Sequence, residues 1–180
     1  LSTLPARQRK QKGQYLTPVE VADFMAGLCR PAQAVVRVLD PGAGAGILSC
    51  ALCEALASLP RSCTEINLVA YETDSGLATC LSLSLAYAAE WLWQRRVRLR
   101  YVVRTDDFVM AHAHVLHGTQ PLIPLSDLTT DSHDIAISNP PYLKLSKSDP
   151  RAQAASSVVY GQPNIYAFFM AISAAMLKPG

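Results

Sequence analysis

The sequence predicts an α/β fold, a mostly parallel sheet with helices on both faces, and three observations carry that reading. Short β-branched runs alternate with longer helical patterns, the first run is almost continuously apolar, and a cluster of glycines follows it at once. The elements follow in chain order. Pro18 to Leu28 reads as a short helix, with Thr17 as its N-cap and Pro18 at the first helical position. Val35 to Asp40 is the first strand. From Gly46 to Leu59, Ile47, Leu48, Ala51, Leu52, Ala55, Leu56 and Leu59 recur at steps of three and four, which is a helix facing a core and ending before Pro60. Asn67 to Glu72 is the second strand. Asp74 and Ser75 then cap a helix carrying Leu77, Leu81, Leu85 and Leu92 on one side. Leu99 to Thr105 and Ile135 to Asn139 are the third and fourth strands, and Asn164 to Leu177 is a helix that buries Ile165, Phe168, Phe169, Ile172 and Met176.

Composition bounds the rest. The 180 residues, half of them apolar and 17% charged, suit one globular domain or most of one rather than a disordered tail. Sixteen basic against fourteen acidic residues give a net charge of +2, which permits a polyanionic partner without requiring one. Five cysteines with no apolar leader ahead of them point to a reducing, cytoplasmic setting. Cys50 and Cys53 read as small helix residues. No apolar stretch is long enough to cross a membrane. The chain opens on Leu rather than Met and stops at a turn signal, so it reads as a piece of something longer. Two long connections stand out, Met110 to Asp134 and Leu143 to Pro163. His112, His114 and His117 in the first lack the Cys or carboxylate cluster that would complete a metal site, and none is expected.

The chemistry concentrates at strand ends. The first strand runs into Asp40-Pro41-Gly42-Ala43-Gly44-Ala45-Gly46, where glycines permit positive φ and close approach of a ligand to the main chain. No Lys-Ser/Thr follows, which excludes a P-loop, and the G-x-G-x-x-G dinucleotide spacing also fails. An acid beside the glycines suits a ligand bearing positive charge and hydroxyls. Glu72 ends the second strand, where a carboxylate can accept both hydrogen bonds of a ribose diol, and Asp106 and Asp107 end the third, followed by Phe108. In an open α/β sheet these carboxyl ends border the ligand crevice.

Through Val38 to Gly46, Tyr71-Glu72 and Asp107-Phe108 the sequence resembles the class I S-adenosylmethionine-dependent methyltransferases, which have a Rossmann-like fold. The resemblance implies that Asp40, Gly42 and Gly44 lie against the methionine part of S-adenosylmethionine, that Glu72 holds its ribose, and that Asp106 or Asp107 with Phe108 contacts its adenine.

The fourth strand ends in Ser138-Asn139-Pro140-Pro141-Tyr142. On its own this is a rigid turn, because two prolines fix two φ angles and cannot continue a strand. Beside a cofactor crevice it can do more. An amide or aniline-type nitrogen is a poor nucleophile while its lone pair is delocalised. The Asn139 side-chain oxygen and the Pro140 carbonyl can both accept from such an NH2 group, which frees the lone pair and offsets positive charge as it develops. Pro141 helps hold these acceptors still, and Tyr142 offers a face for a planar substrate.

Asn-Pro-Pro-Tyr is the hallmark of amino-methyltransferases, whose substrates are adenine in nucleic acid or a glutamine side chain. The upstream Lys12-Gly13-Gln14-Tyr15-Leu16-Thr17-Pro18 is similar to the N-terminal cofactor motif of adenine-specific DNA methyltransferases of the gamma arrangement, found in restriction-modification systems. That resemblance implies a cofactor-motif segment over residues 1–30, with Tyr15, Thr17 and Pro18 lining the cofactor pocket. It also implies a catalytic core over residues 31–180 that lacks the later strands and a target-recognition domain. Double-stranded DNA with a flipped adenine is the expected partner, together with fused or associated restriction or specificity modules. Phe168 and Phe169 would wall the base pocket. Apart from the resemblance, the basic connection from Leu143 to Pro163, carrying Lys144, Lys147 and Arg151, reads either as a segment that holds phosphates or covers the base, or as a flexible, structureless surface loop. The rivals are a protein glutamine methyltransferase and a non-catalytic cofactor- or DNA-binding module.

Overall fold

The computed structural model describes residues 17–59, 63–118 and 132–179. Tyr15 and the rest of the motif before Thr17 lie outside them. The described chain runs α1 (Val19–Gly27), β1 (Val35–Asp40), α2 (Ile47–Ala57), β2 (Glu65–Tyr71), α3 (Ser75–Trp93), β3 (Arg98–Arg104), α4 (Phe108–His112), a 3-10 turn (Ala113–His117), β4 (Ile135–Ala136), α5 (Pro150–Ala154), a second 3-10 turn (Ser156–Val158) and α6 (Ile165–Ala175).

The strands form one four-stranded sheet in the order β3-β2-β1-β4, and every pairing is parallel. Strand alternation distributes its two faces. Val36 and Val38 of β1 with Ile66, Leu68 and Ala70 of β2 join one cluster with Ala22, Leu52, Leu56, Leu81, Leu85 and Leu92 from α1, α2 and α3. Leu39, Val69 and Tyr71 point the other way, into a second cluster with Phe108, Leu145, Ile165, Phe168 and Ile172. The sheet therefore lies between two helical layers, as the near-continuous apolar strands require.

This order makes a topological switch at β1. The chain leaves β1 for β2 on one side and returns through β4 on the other, so the carboxyl ends of β1 and β4 flank the crevice where open α/β sheets bind ligands. β4 is seated by a polar staple as well as by its ladder. The Asp134 carboxylate accepts from the Arg37 N–H at 2.7 Å and from the Lys178 ammonium. Burial pushes that carboxyl up, but the Lys178 and Arg37 bonds outweigh it and hold it below the usual range.

Three expectations are corrected here. The fourth strand, read as Ile135 to Asn139, keeps ladder geometry only over Ile135–Ala136, because Pro140 and Pro141 bring no N–H to extend it. Thr17 does not cap α1. Pro18 occupies the N-cap at φ −58°, ψ 147°, and no side-chain cap bond is made. The connection after Tyr142 is not structureless. It folds into α5 and a 3-10 turn and buries Leu145, Ala152 and Ala155 against the second cluster. A five-residue helix is too short to show a period in sequence.

Candidate active site

The turn after β1 is built on two glycines with no freedom to change. Gly44 has φ +58° and Gly46 φ +90°, both in the region that favours glycine. A Cβ on Gly46 would stand 2.8 Å from Leu81 Cδ1, so this position also lets α2 pack closely on α3. Below the turn, Asp40 is fully buried. Its Oδ2 accepts from Ser49 Oγ at 2.6 Å, and its Oδ1 accepts from the Gly42 N–H at 3.4 Å. Burial, with the nearby charge of Glu72, pushes its carboxyl up to about 7 against these two bonds. Ser49 is not among the site residues that the sequence motifs indicate. The available signal was a hydroxyl in the first turn of a helix at a position that the apolar pattern assigns to the core.

Above the turn the backbone is open. A Cβ on Gly44 would meet nothing within 4 Å. A Cβ on Gly42 would lie 3.4 Å from Phe169 Cε1 and 3.9 Å from Ser138 Oγ, so the glycine turn, α6 and the segment after β4 meet at this point. Ser138 Oγ is buried and has no hydrogen-bond partner among the described residues. A bare backbone cradle next to an unsatisfied hydroxyl fits a polar group seated on the turn, as S-adenosylmethionine would be.

The remaining acids divide. Glu72 is 8% exposed and accepts from the Asp74 N–H at 2.7 Å. Asp74 itself caps α3 through bonds from Gly76 and Leu77. Asp106 turns outward to Arg104 at 3.1 Å. Asp107 caps α4 through the Met110 N–H and lies 3.8 Å from the Arg151 guanidinium. Between the doubled acids it is therefore Asp107 that stays with the α4 and α5 packing. Arg151, expected to reach for phosphate, is already held by Asp149 in a two-pronged pair at 2.9 and 2.8 Å. Phe108 is buried, edge-on to Tyr71 at 5.3 Å and tilted against Phe169 at 5.2 Å. Behind it, Tyr71 Oη and His112 Nε2 share a 2.7 Å hydrogen bond, which gives one of the histidines His112, His114 and His117 a structural role.

Asn139 and Pro140 follow β4 at the carboxyl end of the sheet, Asn139 half-buried and Pro140 buried. The Asn139 Nδ2 donates to Thr17 Oγ1 at 3.1 Å, joining the start of the described chain to the tetrapeptide. Thr17 is only 9% exposed. Tyr142 is more than half exposed, and its ring stacks on Tyr166 at 5.7 Å and 14°. Tyr166, in the first turn of α6, was not picked out from sequence. Of the two phenylalanines on α6, Phe169 lies against Gly42 while Phe168 is 1% exposed inside the core. Lys144 is exposed and bridges to Asn164 across a short antiparallel pairing. Among the described residues no His, Cys, Asp and Glu group could hold a metal ion. A surface cavity of about 340 Å³, lined by Val35, Thr64, Glu65, Trp93, Arg96 and Arg98, opens at the amino ends of the strands, at the far end of the sheet from these motifs.

No family model matches the chain. It is 25% identical over 185 residues to the type II methyltransferase M.PstI of Providencia stuartii, a match covering 99% of this chain and 33% of that protein. The chain thus spans about a third of the length of that relative. Two solved structures share its architecture at 16% identity. One is described as a class I S-adenosylmethionine-dependent methyltransferase of Listeria monocytogenes, with a TM-score of 0.57 over 93% of this chain and 45% of that one. The other is the type IIG restriction endonuclease BpuSI, with a TM-score of 0.63 over 97% of this chain and 20% of that one. The sequence match and the shared fold agree with the resemblance read from the motifs: the chain is a homologue of a type II methyltransferase and carries the class I S-adenosylmethionine-dependent methyltransferase fold.

Proposed function

We propose that this chain is the catalytic core of an adenine-specific DNA methyltransferase of a restriction-modification system, working in the cytoplasm. It would move a methyl group from S-adenosylmethionine to the exocyclic amino group of a flipped adenine. One observation carries the reading: parallel pairing of β1 with β4 sets the Asn139-Pro140-Pro141-Tyr142 segment beside the glycine turn, with Ser138 Oγ 3.9 Å from the Cβ position of Gly42. The homologue's name and that of the restriction endonuclease with the same fold support the restriction-modification setting.

When bound, S-adenosylmethionine supplies a methyl group made electrophilic by its sulfonium. Gly42, Gly44 and the Ser138 hydroxyl would seat it, Glu72 would accept from its ribose hydroxyls, and Asp107 with Phe108 would meet its adenine. Thr17, Pro18 and, by the resemblance alone, Tyr15 would close the pocket from the N-terminal side. Asn139 Oδ1 and the Pro140 carbonyl would accept the two N–H bonds of the substrate amine. That draws the nitrogen toward tetrahedral geometry and places two acceptor oxygens where positive charge develops. After transfer the nitrogen carries one proton too many and gives it to water, so no strong base is needed. Extruding the base costs a few kcal/mol. The stacked Tyr142 and Tyr166 rings offer a surface that would offset part of this, and the exposed Lys144 would meet a backbone phosphate. Restriction or specificity modules, fused or associated, would complete the system.

The test incubates the full-length protein with a methyl-labelled donor and unmethylated phage DNA, and follows N6-methyladenine by nucleoside mass spectrometry. Label on adenine is the expected result. Asn139→Ala should lower the rate by at least about 100-fold while calorimetry still detects donor binding. Label on glutamine in a protein substrate, with none on DNA, would move the chain to the rival class. Undiminished transfer by Asn139→Ala would overturn the mechanism.

A further inference from the structure

The Thr17 hydroxyl is in an unusual situation for a residue directly ahead of a helix. It stands one position before the N-cap, yet α1 begins without any side-chain cap, and the hydroxyl is engaged by Asn139 instead. The contact spans 122 positions of sequence, so no local rule of turn or helix geometry produces it. It is also nearly enclosed, since Thr17 is 9% exposed. Pro18 fixes the backbone that follows at φ −58° and anchors the first turn of α1, whose Val21 and Ala22 N–H groups both donate to the Pro18 carbonyl. The hydroxyl is thus held from behind by the helix that packs on the first core cluster.

A side-chain amide can present either its oxygen or its nitrogen to a ligand, and the two orientations differ by a half-turn about χ2. For an amine substrate only one is useful: the oxygen must face the N–H bonds, and the nitrogen must find its own acceptor elsewhere. We infer that Thr17 is a positioning residue for Asn139, its hydroxyl accepting an Nδ2–H so that the amide plane is fixed and Oδ1 is left for the substrate amine. The role rests on the amino-methyltransferase reading above and adds to it a residue whose effect is exerted through Asn139. The contact does a second thing. A donor bond at Nδ2 polarises the amide, which raises the partial negative charge on Oδ1 as the amine nitrogen becomes positive. Without Thr17 Oγ1, Nδ2 would lose the acceptor at 3.1 Å and the amide would be free to turn. A misplacement of this kind, of the order of 1 Å at a reacting group, costs about 100-fold in rate.

The experiment compares Thr17→Val, which keeps the shape and removes the hydroxyl, with Thr17→Ser, which keeps the hydroxyl. Both are made in the full-length protein and assayed on unmethylated phage DNA in single turnovers. At saturating donor, Thr17→Val should react about 10- to 100-fold more slowly than the parent with its donor KM changed less than about threefold, and Thr17→Ser should recover most of the rate. A loss that disappears on raising the donor concentration would make Thr17 a cofactor contact only and overturn the inference. Equal loss in Thr17→Ser, or none in Thr17→Val, would do the same. A second readout is independent of turnover. In the nitrogen-15 spectrum the Asn139 side-chain amide, identified by its absence in Asn139→Ala, should show one proton shifted downfield and slow to exchange. That proton should move in Thr17→Val and stay in Thr17→Ser. Failure of the parent protein to methylate DNA or protein would sink the amino-methyltransferase reading and leave the amide signal to judge the contact by itself.

Discussion

The two segments that meet in the crevice are held by opposite means. The glycine turn after β1 is maintained from within its own neighbourhood: Asp40 bonds to Gly42 and Ser49, and Gly46 accepts the side of Leu81 because it has none of its own. The tetrapeptide after β4 has two prolines that remove conformations and a contact with Thr17 from the other end of the described chain. The first is a load on the fold, since changing it disturbs a buried carboxyl and a helix contact. The second ends in the exposed Tyr142 and is held by a few long-range contacts, so it acts mainly on geometry. Stability measurements should therefore respond to the turn and rate measurements to the tetrapeptide.

Gly46→Ala tests the first half of that contrast most severely. It demands φ near +90° from an L residue and places a methyl 2.8 Å from Leu81. A loss of about 2–4 kcal/mol in urea unfolding is expected. A loss under about 0.5 kcal/mol would mean that the turn is not the rigid member of the pair.

Asp40 gives the next effect, read through pH. Its carboxyl is raised from the ordinary 3.8 to about 7, with burial as the main cause, so the folded protein holds a proton that the unfolded chain releases. The contribution is fully present below about pH 4 and is lost as the pH rises through about 7, an amount of up to about 4 kcal/mol. Asp40→Asn should flatten this part of the melting-temperature profile between pH 4 and 7. An identical slope in the variant would assign the titration elsewhere.

Periodicity makes β1, α2, β2, α3, β3 and α6 legible, and the acids and glycines are legible as strand-end residues because motif and strand end are adjacent in sequence. What escaped was of two kinds. Short or interrupted elements give no period: β4 stops at Ala136 ahead of the prolines, and α5 is five residues long. Contacts between distant segments leave no trace in a local pattern. Thr17 looked like a cap and is a partner of Asn139, and Arg151 looked like a phosphate ligand and is committed to Asp149 and Asp107. Each residue type was read for the chemistry it can do, and the fold chose a different partner.

The tetrapeptide supplies the smaller effects. Pro141→Ala frees one backbone angle, so stability should fall by less than about 1 kcal/mol in the same urea titration, while the single-turnover rate falls about tenfold. Parallel losses in both would erase the distinction between the two segments. Arg151→Ala comes last. Its pair with Asp149 and Asp107 is partly exposed, and a change of at most about 0.5 kcal/mol is expected, with DNA affinity nearly unaltered because the guanidinium is already engaged. A large drop in DNA affinity would return that residue to the phosphate-binding role.

β3 ends the described sheet, and along it Arg98, Arg100 and Arg104 fall at alternating positions, the first two near Glu65 of β2 and the third beside Asp106. A row of unpaired main-chain donors and acceptors invites a strand from another molecule, and bulky cations spaced along it make such an encounter electrostatically unwelcome. Arginines at these positions would make a second molecule's strand less welcome at this edge of the described sheet. Neutralising them together should be felt first as turbidity in concentrated solution, before any change in how a single molecule folds.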